Sequence, residues 1–333
     1  MSKRDKRWFA VCLGAAVALL IFGPLALAQG STNGHSSRPV TIVVPFPAGG
    51  GPDLAARILA DKLQTQSGQT VVIENRPGAS SMIGVGAVAR AAPDGHTLLF
   101  TTITTAIAPH VLAQDANAPT DVFKDLVPVV APATTPMVLV AHPRLGVKTV
   151  KELIALAKAN PGVTYGSAGF GSGTHFAGEM FKRATGIDLL HVPYRGVAPS
   201  IIGTVRGDTS LLFVALGASL SQIQEGKLIP LALTEHSRSD LLPDVPTVSE
   251  QGFPGVEIHA WYGIFAPVGT PATELQRINR EINAALKMDD VRQKFRAAGV
   301  AVLGGDADRL AGLVKSDSER YGAIARNLNI RIK

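Results

Sequence analysis

Residues 40–53 read VTIVVPFPAGGGPD, and this stretch decides the fold class. Its first five residues are all β-branched, as expected for a strand that is buried on both faces. Prolines and glycines follow, and a helical pattern of apolar residues begins near Asp53. A strand, a glycine-rich loop and a helix in this order form the opening unit of a parallel α/β protein.

The same alternation of short apolar runs and helical patterns continues along the chain. Strands are predicted at 71–74, 97–102, 137–141, 163–166, 189–192, 209–214 and 228–233. Helices are predicted at 83–90, 150–159, 174–185, 198–206, 218–224 and 271–287, the last with Thr270 as its N-cap. Because helices between strands allow consecutive strands to run parallel, the sequence predicts an α/β protein with mostly parallel sheets.

The composition is that of a folded globular protein. Of the 333 residues, 46% are apolar, 17% are charged and only 5% are aromatic, so a core of valine, leucine, isoleucine and alanine is expected. This length favours two domains. Cys12 is the single cysteine, which excludes intrachain disulfides, thiolate zinc sites and Cys-x-x-Cys redox chemistry.

The first 28 residues have the pattern of an export signal. Basic residues between positions 3 and 7 precede an apolar run at 8–22, and Ala26 and Ala28 form a small-x-small cleavage site. We expect cleavage after Ala28, export to the periplasm, and a flexible linker at 29–37, which is rich in Gly, Ser, Thr and Asn. An uncleaved anchor is the alternative, although the apolar run is shorter than the about 20 residues of a membrane span.

The charge gives no indication of nucleic-acid binding. Removal of the leader takes four basic residues and one acid from a chain of net charge +6, which leaves +3 on the remaining residues. This charge is small and spread along the chain. The eight histidines form no His-Glu-x-x-His motif, so no catalytic metal is expected either.

Several short motifs occur in a fixed order along residues 38–330. They are PFPAGG at 45–50 followed by Asp53, VIENRPGA at 72–79, APDGHTLL at 92–99, HVPYRG at 191–196, LPDVPT at 242–247, WYG at 261–263 and APVGTP at 266–271. Each motif alone is weak, but their joint order and spacing are specific. On these residues the chain resembles the Bug-type solute receptors, the extracytoplasmic binding subunits of tripartite tricarboxylate transporters.

The resemblance implies a two-domain Venus-flytrap fold like that of type II periplasmic binding proteins, each domain being a mostly parallel sheet flanked by helices. It assigns residues 38–136 and 259–333 to domain 1 and residues 137–258 to domain 2. The implied ligands are small organic anions, such as di- or tricarboxylates and aromatic acids, which are delivered to membrane permease subunits. The resemblance implies no cofactor, no metal and no catalysis, and we expect a monomer.

The loop at 46–52 stands between a strand and a helix start. Its glycines allow backbone N–H groups to face an anion at the positive end of the helix dipole, so an oxyanion can be bound without an arginine. A tight turn in which Asp53 only caps the helix is an equally good interpretation of the pattern. The resemblance favours ligand binding by Phe46, Ala48, Gly49, Gly50 and Asp53, with Asp53 partly structural.

A second loop of small and hydroxyl residues, YGSAGFGSGTH at 165–175, also stands between a strand and a helix. We expect it to bind the same anion from the other domain. The resemblance assigns this role to Ser167, Ala168, Gly169, Ser172, Gly173, Thr174 and His175. Phe170 stands where the family commonly has a small or polar residue. It indicates a narrower pocket with an apolar ligand body, or it is simply a core or hinge residue.

Other candidates for contact with a carboxylate are Thr101, Thr102 and Thr105, although threonine is also a common strand residue. Val214 and Ala215 stand where the family often has an acidic or amide residue, and their apolar side chains argue against a ligand with an amine. Ser80 and Ser81 replace a more usual pair of glycines, which also indicates altered selectivity.

Arg195, Trp261 and Tyr262 have two possible interpretations each. Arg195 could bind a carboxylate with two hydrogen bonds, but a solvated or capping arginine is the commoner role. Trp261 and Tyr262 are predicted to pack near the hinge, and contact with the ligand is the alternative.

The enzyme motifs that come nearest to matching fail at one or two positions. A dinucleotide loop needs a third glycine where the chain has Thr174, and a hydrolase elbow centred on Ser172 fails at Phe170 and Thr174. An exported hydrolase that uses Ser167 or Ser172 with His175 stays an alternative, as does a receptor that presents its closed form to a signalling partner. The sequence predicts a periplasmic receptor that captures a carboxylate by domain closure.

Overall fold

The computed structural model describes residues 38–112, 122–327 and 329–330. The predicted signal peptide and linker lie outside these residues. The strands are β1 (Val40–Val44), β2 (Val71–Asn75), β3 (Thr97–Thr102), β4 (Leu126–Ala141), β5 (Thr164–Ser167), β6 (Leu190–Pro193), β7 (Leu211–Ala215), β8 (Ile229–Leu233), β9 (His259–Pro267) and β10 (Ala301–Val302). Among the described residues, no helix is both long and apolar enough to cross a membrane.

Helices cover the strands and follow most of them in sequence. They are α1 (Gly51–Ser67), α2 (Met82–Ala89), α3 (Thr104–Val111), α4 (Val122–Asp125), α5 (Val150–Ala159), α6 (Gly173–Thr185), α7 (Val197–Arg206), α8 (Leu216–Gln224), α9 (Ala272–Leu286), α10 (Asp289–Ala297) and α11 (Ala307–Asn327). Each predicted strand and helix is present, with ends that differ by a few residues. The helices α3, α4, α10 and α11 and the strands β9 and β10 were not predicted.

The strands form one mixed sheet with the order β2-β1-β3-β9-β4-β7-β5-β6, and β8 and β10 both pair with β4. The outer strands are parallel: β1 pairs with β2 and β3, and β5 pairs with β6 and β7. The central strands β4 and β9 are antiparallel to all their neighbours. The α/β class is therefore confirmed, but the mostly parallel pairing holds only outside the centre, where β4 and β9 run against the other strands.

Strand β4 is shared by two groups of strands. Up to the pair Pro136–His259 it is bonded to β9, and from the pair Met137–Ala215 it is bonded to β7. We call β1, β2, β3, β9, β10 and the start of β4 the first half of the sheet, and β5 to β8 with the end of β4 the second half. The division into two domains at this point stays a prediction.

The first part of β4 was not predicted from the sequence, because prolines interrupt its pattern of apolar residues. Pro128, Pro132 and Pro136 lie within the strand, and a proline cannot donate a ladder hydrogen bond. The register against β9 shifts between Pro128 and Val130 and again between Val130 and Ala133. An interrupted ladder leaves only 137–141 as a clean apolar run.

The β-branched run of β1 is buried on both faces. Ile42 and Val44 pack in one apolar cluster with Leu59 of α1, whereas Val43 packs in another with Val85 of α2. Ile42, Val43 and Val44 are each at most 2% exposed. Helices therefore cover both sides of this strand, and the loop after it is held between a rigid strand and a rigid helix.

Thr270 is not the N-cap of α9, which corrects that prediction. Pro271 occupies the cap position and makes no side-chain cap hydrogen bond. The Thr270 hydroxyl instead donates to the backbone oxygen of Pro267 at 2.7 Å. This hydrogen bond to the Pro267 carbonyl closes the turn after β9. The Thr270 hydroxyl is therefore directed back to the strand and not forward to an N–H group of α9.

Gly217 and Gly312 form a matched pair for a test of the packing. A methyl group at Gly217, in α8, would lie 1.7 Å from the backbone oxygen of Ala298, whereas one at Gly312, in α11, meets nothing within 4 Å. We expect Gly217→Ala to lower the free energy of unfolding by about 1–3 kcal/mol or more. Gly312→Ala should raise it by about 0.5–1 kcal/mol. Denaturant unfolding measures both, and equal values for the two variants would contradict the packing of α8.

Candidate functional site

A cavity of about 710 Å³ lies between the two halves of the sheet. Its wall is built by segments that follow the carboxyl ends of β1, β2, β3, β5, β6 and β7, together with residues of β4 and β9. Loops at the carboxyl ends of parallel strands are the usual position of ligand sites in α/β proteins. The volume is within the range of small-molecule pockets.

The first loop presents backbone donors of helix α1 at the cavity. The first hydrogen bond of the helix runs from the N–H of Leu54 to the oxygen of Gly50 at 3.0 Å. The N–H groups of Gly50 and Gly51 precede this bond and have no acceptor within the helix. Gly50 lines the cavity, as do Phe46 and Pro47 of the same loop.

Asp53 holds this loop from behind. Its carboxylate is 3% exposed and accepts hydrogen bonds from the N–H of Gly49 at 2.9 Å, from Arg57 and from Asn75. Burial opposes the ionised form, but these hydrogen bonds outweigh it and hold the pKa of Asp53 below its ordinary value. Gly49 has a φ of 82°, a conformation that favours glycine. Asp53 is therefore neither a cap nor part of the cavity wall, and it fixes the loop.

The second loop presents the start of helix α6. The Ser172 hydroxyl caps the helix by accepting from the N–H of His175 at 3.3 Å, and the first helical bond runs from Phe176 to Ser172 at 3.1 Å. The N–H groups of Gly173 and Thr174 precede that bond and have no acceptor within the helix. Gly173 makes only a long contact of 3.5 Å to the Thr104 hydroxyl. Four of these residues line the cavity: Thr104, Ser172, Gly173 and Thr174.

The structure brings nine of the predicted residues to the cavity wall and leaves seven away from it. On the wall are Phe46, Gly50, Thr102, Ala168, Gly169, Ser172, Gly173, Thr174 and Ala215. Ala48 and Gly49 are exposed on the outer side of the first loop, and Asp53, Thr101, Thr105, Ser167 and His175 are buried behind the wall. A ligand contact by any of the sixteen stays a prediction, and six of the seven that are off the wall, all except Ala48, form hydrogen bonds with other partners.

Thr101 and Thr105 face each other. Their hydroxyls form a short hydrogen bond, and Thr105 also contacts the hydroxyl of Ser81 at 3.4 Å. Side chains alternate between the two faces of a strand, so Thr102 lines the cavity and Thr101 points to the opposite face. The sequence could not separate the two because both are threonine.

Ser167, His175 and His191 form a buried polar cluster under the second loop. Ser167 Oγ lies 2.6 Å from Nε2 of His191, and the two histidine rings stack with centroids 4.2 Å apart. His175 Nδ1 accepts from the N–H of Gly171 at 3.3 Å. Tyr165 stacks on His191 and donates to Glu179 at 2.6 Å. These groups support the loop from the side away from the cavity.

Both histidines are neutral. Burial, with a smaller contribution from the charge of Lys182, lowers the pKa of His175 to about 4. Burial, with the ring of His175 beside it, lowers the pKa of His191 to about 3. His191 Nδ1 is buried and has no hydrogen-bond partner in the part of the chain that the structure describes. Unlike a catalytic histidine, it therefore lacks an acidic group to orient it.

Sequence reasoning considered Arg195 as a possible carboxylate ligand but did not predict that the whole turn between β6 and α7 forms part of the site. Tyr194, Arg195, Gly196, Val197 and Ala198 all line the cavity. The signal was present, because HVPYRG has the same order of strand end, glycine and helix start as the two loops that were chosen. Strand β6 runs parallel to β5, so both strands end at the same edge of the sheet.

A second missed segment follows β2. Ala79, Ser80 and Ser81 line the cavity, and their φ angles of 45°, 50° and 79° lie in the left-handed region. Such angles in residues other than glycine cost about 1–3 kcal/mol each. The substitution of the family's glycines by serines, noted in the sequence, thus falls on a strained part of the wall.

Three contacts join the two halves of the sheet around the cavity. Ser80 Oγ donates to the backbone oxygen of Phe170 at 2.7 Å. A methyl group at Gly196 would lie 2.9 Å from Pro47, and one at Gly173 would lie 3.1 Å from Ile103. Tyr262, from β9, is buried in the wall between the halves. The cavity is therefore enclosed by segments from both halves that touch.

No group of three or more histidine, cysteine, aspartate or glutamate residues with the arrangement of a metal site occurs among the described residues. The described residues that line the cavity include Arg195 but no aspartate, glutamate, lysine or histidine. The cavity therefore suits a ligand with negative charge.

Loops from two halves of an α/β sheet around one cavity define a solute receptor of the periplasmic type. Residues 55–330 match the family model described as the tripartite tricarboxylate transporter family receptor. Protein BugT of Bordetella pertussis is 34% identical over 320 residues, which are 96% of this chain and 98% of BugT. The chain belongs to this receptor family, and the predicted resemblance to the Bug-type receptors is confirmed.

Two solved structures share the fold over most of their length. Rpa4515 of R. palustris with adipate has a TM-score of 0.84 and 33% identity, and the match covers 88% of this chain and 98% of that one. MatC from Rhodopseudomonas palustris with bound malate has a TM-score of 0.80 and 30% identity, with 86% and 98% covered. Members of this family are periplasmic solute-binding proteins.

The buried histidine pair predicts loss of stability in acid. The unfolded chain takes up a proton on each histidine below about pH 6.5, whereas the folded chain does so only near the lowered pKa values of about 4 and about 3. The unfolded state therefore binds more protons, and the free energy of unfolding falls as pH drops from 6.5 to 4. Each histidine contributes up to about 1.4 kcal/mol per pH unit.

Denaturant unfolding at pH 4 to 7 checks this expectation. In His175→Asn, which keeps a side-chain acceptor for Gly171, the slope should decrease by about one proton. His96→Asn, outside the cluster, serves as the matched control and should keep the slope of the unchanged protein. A slope that is the same in all three proteins contradicts the buried neutral histidine.

Proposed function

We propose that the protein captures a small organic carboxylate in the periplasm. The observation that carries this proposal is the meeting of two helix starts, α1 and α6, whose N–H groups at Gly50, Gly51, Gly173 and Thr174 lack acceptors within their helices. Donors of this kind, at the positive ends of helix dipoles, bind carboxylate oxygens. The adipate and malate of the two related structures support the same class of ligand.

Binding proceeds by closure of two domains, residues 38–136 with 259–333 and residues 137–258. The contacts Ser80–Phe170 and Pro47–Gly196 join these two parts and support a closed form. A carboxylate held by both helix starts adds contacts that exist only when the parts approach. Such a ligand selects the closed form.

Delivery to membrane permease subunits follows from the transporter role of the receptor family. It requires export, which residues 1–28 would direct as a cleaved signal peptide. The protein acts as a monomer, because one chain supplies both halves of the cavity wall.

We propose no catalysis. Ser167 is fully buried, and its partner is His191 and not His175. A histidine whose pKa is lowered to about 3 is a poor general base at neutral pH. Ser172 is occupied as the cap of α6 and donates to the oxygen of Gly169 at 2.6 Å.

Thermal unfolding with a panel of acids tests the proposed function. The protein is first freed of co-purified ligand by unfolding and refolding, and mono-, di- and tricarboxylates, aromatic acids, acidic amino acids and neutral sugars are then added. A carboxylate at about 100 times its dissociation constant adds about 2.7 kcal/mol, which raises the midpoint by roughly 5–10 °C. Sugars serve as the control. A midpoint that no acid changes would refute carboxylate binding.

Ser80→Ala tests closure. This change removes the hydrogen bond to Phe170, so closing becomes less favourable and the affinity for a carboxylate should fall about two- to tenfold. Because the bond does not depend on the ligand, the factor should be the same for every acid that binds. Calorimetric titration measures it, with Ser221→Ala on the exposed surface as the control. An unchanged affinity, or a loss confined to one acid, would contradict the proposal that the Ser80–Phe170 hydrogen bond stabilises the closed form.

A further inference from the structure

Arg195 is the charged side chain among the described residues that line the cavity. It follows β6 and directly precedes helix α7. The other lining groups from this part of the wall are apolar or uncharged, as in Tyr194, Val197 and Ala198. Arg195 therefore gives one part of an otherwise uncharged wall a positive charge.

The guanidinium of Arg195 has no carboxylate partner within the described ranges. Several arginines elsewhere form ion pairs: Arg57 with Asp53, Arg238 with Glu250, and Arg277 with Glu274 and Glu281. Arg195 makes no such ion pair, although it lies between two fixed loops. Its five N–H donors are therefore available to a ligand or to water.

The backbone around Arg195 is fixed on both sides. The N–H of Tyr194 donates to the oxygen of Ser167 at 3.0 Å, which ties this turn to the second loop. Gly196 packs against Pro47 of the first loop, at a φ of 123°. Arg195 is exposed, so its long side chain is free to turn, but its base is anchored between the two loops that present the helix starts.

Much of the rest of the cavity wall is apolar. Phe170, Ile103, Leu112 and Met137 line the cavity together with several prolines. Phe170 is 47% exposed, and its ring lies edge-on against that of His191, with centroids 4.8 Å apart. An apolar wall favours a ligand body without charges or hydrogen-bonding groups.

We propose that Arg195 recognises a second acidic group, so that the receptor selects dicarboxylates whose two ends are separated by an apolar body. One carboxylate lies at the N–H groups of α1 and α6, and the other pairs with the Arg195 guanidinium with two hydrogen bonds. This inference rests on the proposed function, because it assumes the first carboxylate at the helix starts. Arg195 determines specificity and does not create the anion site.

Calorimetric titration with pairs of acids that differ by one carboxylate tests the role of Arg195. The pairs are butanoate and succinate, hexanoate and adipate, octanoate and suberate, and benzoate and terephthalate. The unchanged protein should prefer the dicarboxylate of at least one pair. In Arg195→Gln, the affinity for that dicarboxylate should fall about 10- to 100-fold, whereas the affinity for its monocarboxylate should stay within about twofold.

Two further variants separate charge from folding. Arg183→Gln removes an exposed arginine at the far end of α6 and should change neither affinity. Arg195→Lys keeps the charge without the planar fork and should retain part of the preference for the dicarboxylate. Unfolding midpoints without ligand verify that all variants are folded.

The outcomes are distinguishable. Equal losses for both acids of a pair in Arg195→Gln, an unchanged affinity for the dicarboxylate, or a preference of the unchanged protein for monocarboxylates overturns this inference and leaves the proposed function standing. Binding of none of the acids by the unchanged protein overturns both.

Discussion

Backbone N–H groups without helical acceptors, at the starts of α1 and α6, are the feature on which the site depends. Each start is fixed by a side chain that is not itself free to bind. Asp53 holds the first loop through Gly49, and the Ser172 hydroxyl caps α6. With their own geometry determined in this way, the remaining donors have no acceptor within their helices, and no acidic residue that could compete for them lines the described part of the cavity wall.

The shared strand β4 connects this site to the rest of the fold. Its partner changes from β9 to β7 between Pro136 and Met137, and Thr135 and Met137 on either side of the change line the cavity. A strand that continues through both halves allows the parallel strands of each half to direct their carboxyl ends toward one space. Its prolines weaken the ladder at the same place, which is where the proposed closure would bend the chain.

The polar residues that could act in catalysis serve mainly to support the two loops at the cavity. Ser167, His175 and His191 have the composition of a catalytic site, but they lie under the second loop as a neutral, stacked cluster. Asp53 supports the first loop in the same way. The described wall is made by backbone, glycines, apolar side chains and hydroxyl side chains, together with Arg195. The proposed function therefore depends mainly on backbone N–H groups, which every protein contains, and their position at two helix starts gives them their role.

The sequence by itself determined the α/β class, the receptor family and the two loops with helix starts, because strand, glycine and helix signals are local and occur in order. Only the tertiary structure decided that the turn at Arg195 and the strained segment at Ser80 join the cavity. It also decided that Thr102 faces the cavity when Thr101 does not. These facts depend on which strands end at the same edge and which face of a strand is covered. Both are set by pairing between distant segments, such as β4 with β9, that leaves no mark on the local pattern.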